Sequence, residues 1–194
     1  MYQEKSFTIP SATGISEETL TTHLKLYDAY VKNTNAVQAT ITEAEKDTTK
    51  NSSILAGLYR RISFEWNGMR NHEYFFTQFE SGSHTLTESA LKQSIEKTFG
   101  SFEQWLLVFK ALASTRGIGW AVLYKDTLTG ELFNSWIDEQ QLGVYTGATP
   151  ILMLDMWEHA FILDYAPAEK SKYIDALFAN LNWSICEKRF SGAQ

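Results

Sequence analysis

The segment PILMLDMWEHA, residues 150–160, changes from an apolar run to a cluster of chemically active side chains. The apolar run Pro150–Leu154 predicts a short buried strand. Asp155 follows it directly, and His159 comes four residues later. One helical turn separates side chains at this spacing, so we expect the carboxylate and the imidazole to face one cavity. The pair predicts half of a site for a divalent or trivalent metal ion, although the D-x-x-x-H spacing alone is common by chance.

The sequence around this segment predicts a small sheet. Gly119–Tyr124 is rich in β-formers, residues 126–130 form a turn, and Glu131–Ile137 predicts a strand that pairs back. The chain before Arg116 has helical periodicity instead. Helices are predicted over 16–33, from there to about 45, and over 54–79, 88–99, 101–114 and 167–180, with Ser16 and Thr87 as N-caps. Helices, then a small sheet, then helices indicate the α+β class.

The composition and charge of the chain argue against nucleic-acid binding and against a membrane-spanning protein. The chain has 194 residues, 44% of them apolar, with 17 basic and 23 acidic residues and a net charge of −6. An acidic chain lacks the electrostatic footprint of a nucleic-acid-binding protein. No apolar stretch is long enough to span a membrane. The first ten residues, MYQEKSFTIP, lack the basic segment and the apolar segment that make up a secretory signal. We therefore expect a cytoplasmic protein.

Four histidines and one cysteine are the candidates for nucleophilic or metal chemistry. His84 lies in a Ser-Gly-Ser loop and is interpreted as a surface residue. Histidines 23, 72 and 159 lie in apolar surroundings, where an unpartnered imidazole is costly to bury. A buried histidine usually bonds a carbonyl, but three of them with Asp155 form a donor set that suits Zn, Fe or Mn. Cys186 is interpreted as a small buried hydrophobe.

The chain resembles the iron/manganese superoxide dismutases over about residues 8–190. The motifs that carry the resemblance are ISEETLTTH (15–23), WNGMRNH (66–72), FGSF (99–102), GIGW (117–120), DMWEHA (155–160) and NW (182–183). The D-x-W-E-H-A signature is the most specific of them. The resemblance implies a helical hairpin domain, 1–85, and an α/β domain, 86–194, with an antiparallel sheet of about three strands and the metal between the domains.

The resemblance also implies roles for individual residues. The metal ligands are expected to be His23, His72, Asp155 and His159. Tyr30 matches the tyrosine that guards the substrate channel, and Gln140 matches the glutamine that bonds solvent on the metal in manganese-type members. Gly68 stands where iron-type members place that glutamine. The cofactor is therefore expected to be one Mn or Fe ion, with a slight preference for Mn.

Further residues match the surroundings of the family's site. Trp120 and Trp157 match its aromatic shell, and Trp66 is a third candidate wall. Glu158 matches the acid that reaches across a dimer interface to the partner's ligand histidine, which predicts a homodimer. Superoxide is the implied substrate, and a chain of charge −6 needs a local cationic patch to attract this anion. Lys25, Lys32 and Arg189 are the candidates for that patch.

The chain departs from the family pattern at several positions. It has one residue fewer between His23 and Tyr30, a difference that a helix can absorb by losing or gaining a π-bulge. Tyr27 stands where most members have a histidine behind the ligands, and Ile162 stands where they have its tyrosine partner. Ile118 replaces a common interface serine. We expect the hydrogen bonds that these polar residues make across the dimer to be absent.

Three functions remain open from the sequence. The first is superoxide dismutation by redox cycling of one ion held by three histidines and one aspartate. The alternative is a catalytically weak or inactive metal-binding or structural member of the same fold, which the altered outer positions favour. A different mononuclear metal enzyme is a third, but such sites usually have two histidines and one carboxylate.

Overall fold

Two long antiparallel helices form the N-terminal part of the computed structural model, which describes residues 1–192. Helix α1 spans Glu17–Ala44 and α2 spans Ser52–Thr77. Ser16 caps α1 as predicted, because its side chain accepts a hydrogen bond from the amide of Thr19. The predicted break near residue 33 is wrong, and α1 continues without interruption. Its threonines at 34, 40 and 42 bond the carbonyl four residues back, which satisfies their hydroxyls within the helix.

Two short helices follow the hairpin. Helix α3 spans Ala90–Phe99 and α4 spans Phe102–Ala113. The side chains of Ser89 and Ser101 cap them, so the predicted cap at Thr87 is wrong by two residues. Gly100 separates the helices at a φ of 92°, a conformation that only glycine adopts readily.

The sheet has three antiparallel strands, as predicted. Strand β1 spans Gly119–Asp126, β2 spans Leu132–Asp138 and β3 spans Ala148–Asp155, in the spatial order β2-β1-β3. The central strand β1 is almost entirely buried. Its register pairs Trp120 with Asp155. This pairing brings a large indole beside the carboxylate that ends β3.

The C-terminal region contains two helices where only one was predicted. A 3₁₀ turn at Pro167–Glu169 leads into α5, Lys170–Asn180, and α6 spans Trp183–Ser191. Asn182 caps α6, and Gly192 ends it in the left-handed conformation. Cys186 is buried on α6, in agreement with its interpretation as a hydrophobe.

One large core joins the helices to the sheet, with fully buried Met69, Phe76, Trp105, Trp120 and Leu154 among its members. A separate small cluster at the far end of the hairpin contains Ile41, Ala44 and Leu55. No helix within residues 1–192 is long and apolar enough to cross a membrane. The architecture is the predicted α+β class, with a helical hairpin followed by an α/β part.

Candidate metal centre

Four side chains from different elements converge at one buried point. His23 comes from α1, His72 from α2, Asp155 from the end of β3, and His159 from the turn after it. One ligand atom of each residue lies within 4.8 Å of the other three. From Oδ2 of Asp155, the distance to Nε2 is 3.0 Å for His23, 3.6 Å for His72 and 3.3 Å for His159. The structure thus brings together all four residues that the sequence predicted as ligands.

The turn that carries His159 differs from the predicted helical turn. Residues 158–160 form a single 3₁₀ turn, and Asp155 belongs to the strand before it. The amide of Trp157 donates a hydrogen bond of 2.9 Å to Oδ1 of Asp155. This bond leaves Oδ2 as the oxygen that faces the three imidazoles.

Burial sets the protonation states of the cluster. Burial lowers the pKa of His23, and burial with the nearby His23 imidazole lowers the pKa of His72 to about 3. Burial alone would raise the pKa of Asp155, but the adjacent His159 and His23 hold it well below its usual range. At neutral pH, His23 and His72 are therefore neutral and Asp155 is ionised, which are the forms that bind metal ions.

His72 provides a direct test of whether a metal ion fits. Its Nδ1 lies 2.6 Å from the carbonyl oxygen of Gly68, which fixes this nitrogen as the donor and leaves Nε2 without a proton. Nε2 is buried and has no hydrogen-bond partner within the described chain. Such a buried acceptor costs free energy unless a ligand satisfies it. Three imidazole nitrogens and one carboxylate oxygen suit Mn, Fe or Zn.

A chain of hydrogen bonds lies beside the four ligands. The indole Nε1 of Trp120 donates to Oε1 of Gln140 at 2.9 Å, and Nε2 of Gln140 donates to the hydroxyl of Tyr30 at 3.0 Å. The rings of Trp120 and Tyr30 each lie 5.1 Å from the ring of His72. Burial, with the nearby Asp155 carboxylate, raises the pKa of Tyr30 to about 12. Tyr30 therefore keeps its proton at neutral pH.

Comparisons with known proteins agree with this arrangement. The iron/manganese superoxide dismutase alpha-hairpin domain matches residues 12–80, and the C-terminal domain of the same family matches residues 87–189. A superoxide dismutase [Fe] of Cupriavidus metallidurans is 35% identical over 184 residues, which cover 93% of this chain and 91% of the relative. The chain belongs to the iron/manganese superoxide dismutases.

Other relatives of this superoxide dismutase carry the other metal in their names. A superoxide dismutase [Mn] 2 of Haloferax volcanii is 33% identical over 180 residues, 92% of this chain and 88% of the relative. A superoxide dismutase [Mn] of Mycobacterium leprae is 33% identical over 172 residues, 88% of this chain and 82% of the relative. The family is that of an oxidoreductase with Fe or Mn, and similarity leaves the choice between the two metals open.

The short spacing between His23 and Tyr30 fits a regular helix. Seven residues turn an α-helix by about 700°, which is only some 20° short of two full turns. Both side chains therefore lie on one face of α1, which is α-helical throughout this segment. A spacing of eight residues would rotate the tyrosine about 80° away from the face that carries His23, unless a bulge in the helix corrected it. The missing residue thus leaves Tyr30 in contact with Gln140.

The positioning of Gln140 depends on two residues that sequence reasoning missed. Glu139 has a φ of 52°, in the left-handed region that few residues other than glycine adopt. Asn71, buried on α2, donates a hydrogen bond of 2.9 Å to the carbonyl of Gln140. The position of Asn71 beside His72 was a visible signal, whereas the backbone of Glu139 left no pattern in the sequence.

Gly68 lies directly against Tyr30. A Cβ atom at position 68 would come within 2.4 Å of the Tyr30 ring. The same residue offers its carbonyl oxygen to His72. A side chain at Gly68 therefore requires the ring of Tyr30 to move.

The outer side of the site is more open. The ring of Trp157 stacks at 5.6 Å on that of His159, and its Nε1 donates to the carbonyl of Glu139. Glu158 is exposed, and Ile118 and Ile162 are 42% and 44% exposed. Glu158 and Ile162 flank His159 in the chain, and Ile118 connects to this side through Glu139, whose amide donates to the Ile118 carbonyl and whose own carbonyl accepts from Trp157.

Tyr27 lies on a different side from the one that its family position implied. Its hydroxyl accepts from the amide of Lys5 at 2.9 Å and donates to Glu73 at 3.3 Å, and within residues 1–192 it bonds none of the four ligands. Burial raises its pKa to about 12. Tyr27 therefore fastens the N-terminal arm to α2.

Two of the other expectations are wrong. Trp66 is 37% exposed and donates to the hydroxyl of Tyr2, so it does not wall the cluster. Arg189 is half-buried, bonds the carbonyls of Ile151 and Tyr74, and lines a groove that none of the four ligands lines, so it does not form a cationic patch at the cluster. The periodicity of α2 did not distinguish its outer face from its buried one. Lys25 remains a candidate for the patch, whereas Lys32 is paired with Glu4 at 3.3 Å.

Proposed function

We propose that this protein disproportionates superoxide to O₂ and H₂O₂ with one Mn or Fe ion, and that Mn is the ion it prefers. The observation that carries the proposal is the convergence of His23, His72, Asp155 and His159 within 4.8 Å, beside the Gln140–Tyr30 pair. A bound Mn or Fe ion would supply a one-electron couple that oxidises one superoxide and reduces the next.

The four ligands set the charge at the centre. One ionised carboxylate and neutral imidazoles give the ligand set a charge of about −1, which offsets part of the charge of a divalent or trivalent ion. Since Asp155 is fully buried, its charge acts in a medium of low dielectric. The residues around it exclude bulk water from all but the side of His159, which is 26% exposed.

Tyr30 and Gln140 position the hydroxyl proton of Tyr30 beside this centre. The Tyr30 hydroxyl accepts a hydrogen bond from Gln140, and its own proton is therefore free to point toward a small anion. Trp120 holds the other end of the Gln140 amide, so the amide cannot rotate without losing two bonds. This arrangement supports a role for Tyr30 as the hydrogen-bond donor to substrate and for Gln140 as the residue that orients it.

The preference for Mn rests on Gln140 and Gly68. Gln140 reaches the centre from the loop after β2, and Gly68 on α2 carries no side chain. To test the preference, apoprotein is loaded with each metal and both forms are assayed for superoxide consumption, with metal content measured on the same samples. We expect activity with both and higher activity per ion with Mn. Higher activity per Fe ion would contradict the preference, and no activity with either metal at full occupancy would contradict the proposed reaction.

We also propose a homodimer formed through the surface that carries Glu158. The carboxylate of Glu158 makes no hydrogen bond or ion pair within residues 1–192, and Ile118, Ile162 and Leu163 are each more than 40% exposed. A partly apolar surface around a free carboxylate is typical of an interface. The mass in solution, measured by light scattering, should be twice that of the chain, and Ile162→Lys should halve it. The control is Leu128→Lys, on a fully exposed turn. A monomeric parent would contradict the proposal.

A cytoplasmic location stays a prediction from the sequence. Fractionation of the native cells, with the protein followed by immunoblot, tests it directly.

A further inference from the structure

An open groove of about 850 Å³ lies beside α2, outside the metal centre. It runs between a face of α2, the far end of the sheet and α6, and none of the four metal ligands lines it. Within residues 1–192, its charged lining consists of five cations and one carboxylate: Lys5, Arg70, Glu73, Lys125, Lys188 and Arg189. The described side chains of the groove therefore carry an excess of four positive charges, in a chain whose net charge is −6.

The one carboxylate of the groove is already shared by two cations. Glu73 is buried, and its Oε2 lies 2.6 Å from a guanidinium nitrogen of Arg70 and 3.0 Å from Nζ of Lys5. Its Oε1 accepts from the hydroxyl of Tyr27 at 3.3 Å. Glu73 thus has no capacity left to neutralise the remaining cations of the groove.

Those remaining cations have only neutral partners in the described chain. Arg189 donates to the carbonyls of Tyr74 and Ile151 at 2.7 and 3.2 Å. Lys125 donates to the carbonyl of Phe190 at 2.7 Å. Carbonyls satisfy hydrogen bonds but leave the charge uncompensated, and uncompensated charge at a partly buried site is costly.

Lys188 adds a cation that is free to meet a ligand. It is exposed and makes no ion pair within residues 1–192. Burial lowers the pKa of the neighbouring Arg189, as expected for a cation that lacks an anionic partner. The groove thus combines the unneutralised charge of Arg189, which hydrogen bonds hold in place, with the charge of Lys188 on an exposed side chain.

We propose that this groove binds a small molecule that carries at least two phosphate groups. A phosphate monoester carries about −1.5 to −2 at neutral pH, so two such groups match an excess of four positive charges. Ammonium and guanidinium groups are the usual protein donors to phosphate oxygens. The volume falls within the range of about 300–1,000 Å³ that is typical of small-molecule sites.

One end of the groove lies far from the metal centre, although Arg70 and Glu73 at the other end flank the ligand His72 in the chain. Trp120, beside the ligands, and Lys125, in the groove, lie at opposite ends of β1 and are five residues apart. At about 3.4 Å per residue, roughly 17 Å separates their backbones. Charges in solution are screened over about 8 Å at physiological ionic strength. The cations at the Lys125 end of the groove should therefore contribute little to the attraction of superoxide.

Calorimetric titration of the metal-loaded protein tests the proposal. Fructose 1,6-bisphosphate, ADP and inorganic phosphate are the probes, so that the first two distinguish a sugar from a nucleotide source of the phosphates. We expect one bisphosphate or diphosphate to bind per chain, more tightly than inorganic phosphate and less tightly as salt is raised. If neither organic probe binds more tightly than inorganic phosphate, the proposal is wrong.

Variants locate the binding. Lys188→Gln should weaken it roughly tenfold, because one charge-assisted contact is lost. The matched control is Lys97→Gln, which removes an exposed lysine of α3 outside the groove and should bind as the parent does. Equal affinities of the two variants would overturn the assignment. Both variants should keep the parent's superoxide consumption, so failure of the groove proposal leaves the proposed function untouched.

Discussion

The metal centre has two walls of opposite character. The inner wall, formed by Tyr30, Trp120 and Gln140, is buried, and each polar group in it is bonded to another within the chain. The outer wall, formed by Ile118, Glu158 and Ile162, is exposed and makes few bonds of its own. The polar groups of the inner wall thus find their hydrogen-bond partners within one chain, whereas the outer wall is an exposed surface with few such partners.

This difference indicates how tightly each wall is constrained. Any change on the inner wall leaves a buried group unpaired or forces a ring to move, and both are costly. On the outer wall a polar residue can be replaced by isoleucine without leaving an orphaned atom in the chain. The departures from the family pattern at Ile118 and Ile162 both lie on the outer wall.

The largest effect is expected at the point where the two walls meet. Asp155→Ala removes the carboxylate shared by the three histidines. We expect metal content to fall below ~0.1 ion per chain and activity to disappear, since the loss of a ligand removes both charge and coordination. Elemental analysis and a superoxide assay measure the result. Asp175→Ala, at an exposed site on α5, is the control and should keep both. Retention of a full ion by the Asp155 variant would show that the cluster is not the site.

Gln140→Ala tests the inner wall without removing a ligand. Trp120 and Tyr30 each lose a hydrogen-bond partner, and we expect activity to fall about 10- to 100-fold while the metal is retained. The neighbouring Gln141→Ala is a matched control, because the Gln141 side-chain oxygen has no partner in the described chain. Equal activity of the two variants would remove Gln140 from the mechanism.

Gly68→Ala tests how closely the inner wall is packed. A Cβ at this position lies 2.4 Å from the Tyr30 ring, so overpacking should lower the free energy of unfolding by about 1–3 kcal/mol. On the same helix, Gly57 has no atom near its would-be Cβ. Gly57→Ala should instead raise the free energy of unfolding by about 0.5–1 kcal/mol. Urea denaturation compares the two, and a neutral Gly68 variant would mean that Tyr30 moves freely.

Glu158→Ala tests the outer wall and should have the smallest effect within one chain. Its carboxylate has no partner inside residues 1–192, so the free energy of unfolding of the monomer should change by less than about 0.5 kcal/mol. If the Glu158 carboxylate reaches a ligand histidine of a second copy, the Glu158→Ala substitution should increase both dimer dissociation and metal loss. Dilution followed by light scattering, with metal analysis, measures them. A parent-like dimer that keeps its metal would exclude this bridge.

The sequence predicted the ligands better than the elements that carry them. Asp155 and His159 were placed together by an expected helical turn, but the structure uses a strand end and a 3₁₀ turn. The prediction succeeded because this strand end and this turn still bring His159 Nε2 within 3.3 Å of Asp155 Oδ2. Contacts such as Asn71 with Gln140 join residues 69 positions apart, and local periodicity carries no information about them.

Other errors have equally local causes. Helix α6 was interpreted as a tail, although Asn182 and Gly192 carry the signals for its start and end. Trp66 was predicted to wall the site because it fits the apolar periodicity of α2, yet α2 turns it toward Tyr2. The bond between Tyr27 and Lys5 was invisible because the N-terminal arm has no regular pattern.

The uninterrupted course of α1 has a consequence for length variation in this chain. An inserted residue between Leu24 and Asp28 would rotate everything after it by about 100° and carry the Tyr30 hydroxyl off Gln140, unless the helix formed a local bulge. An insertion near Thr42 would disturb only the small cluster around Ile41 and Ala44. Among otherwise similar chains, an extra residue in the first half of α1 should therefore be accompanied by a helical bulge, whereas an insertion at the tip of the hairpin needs no such compensation.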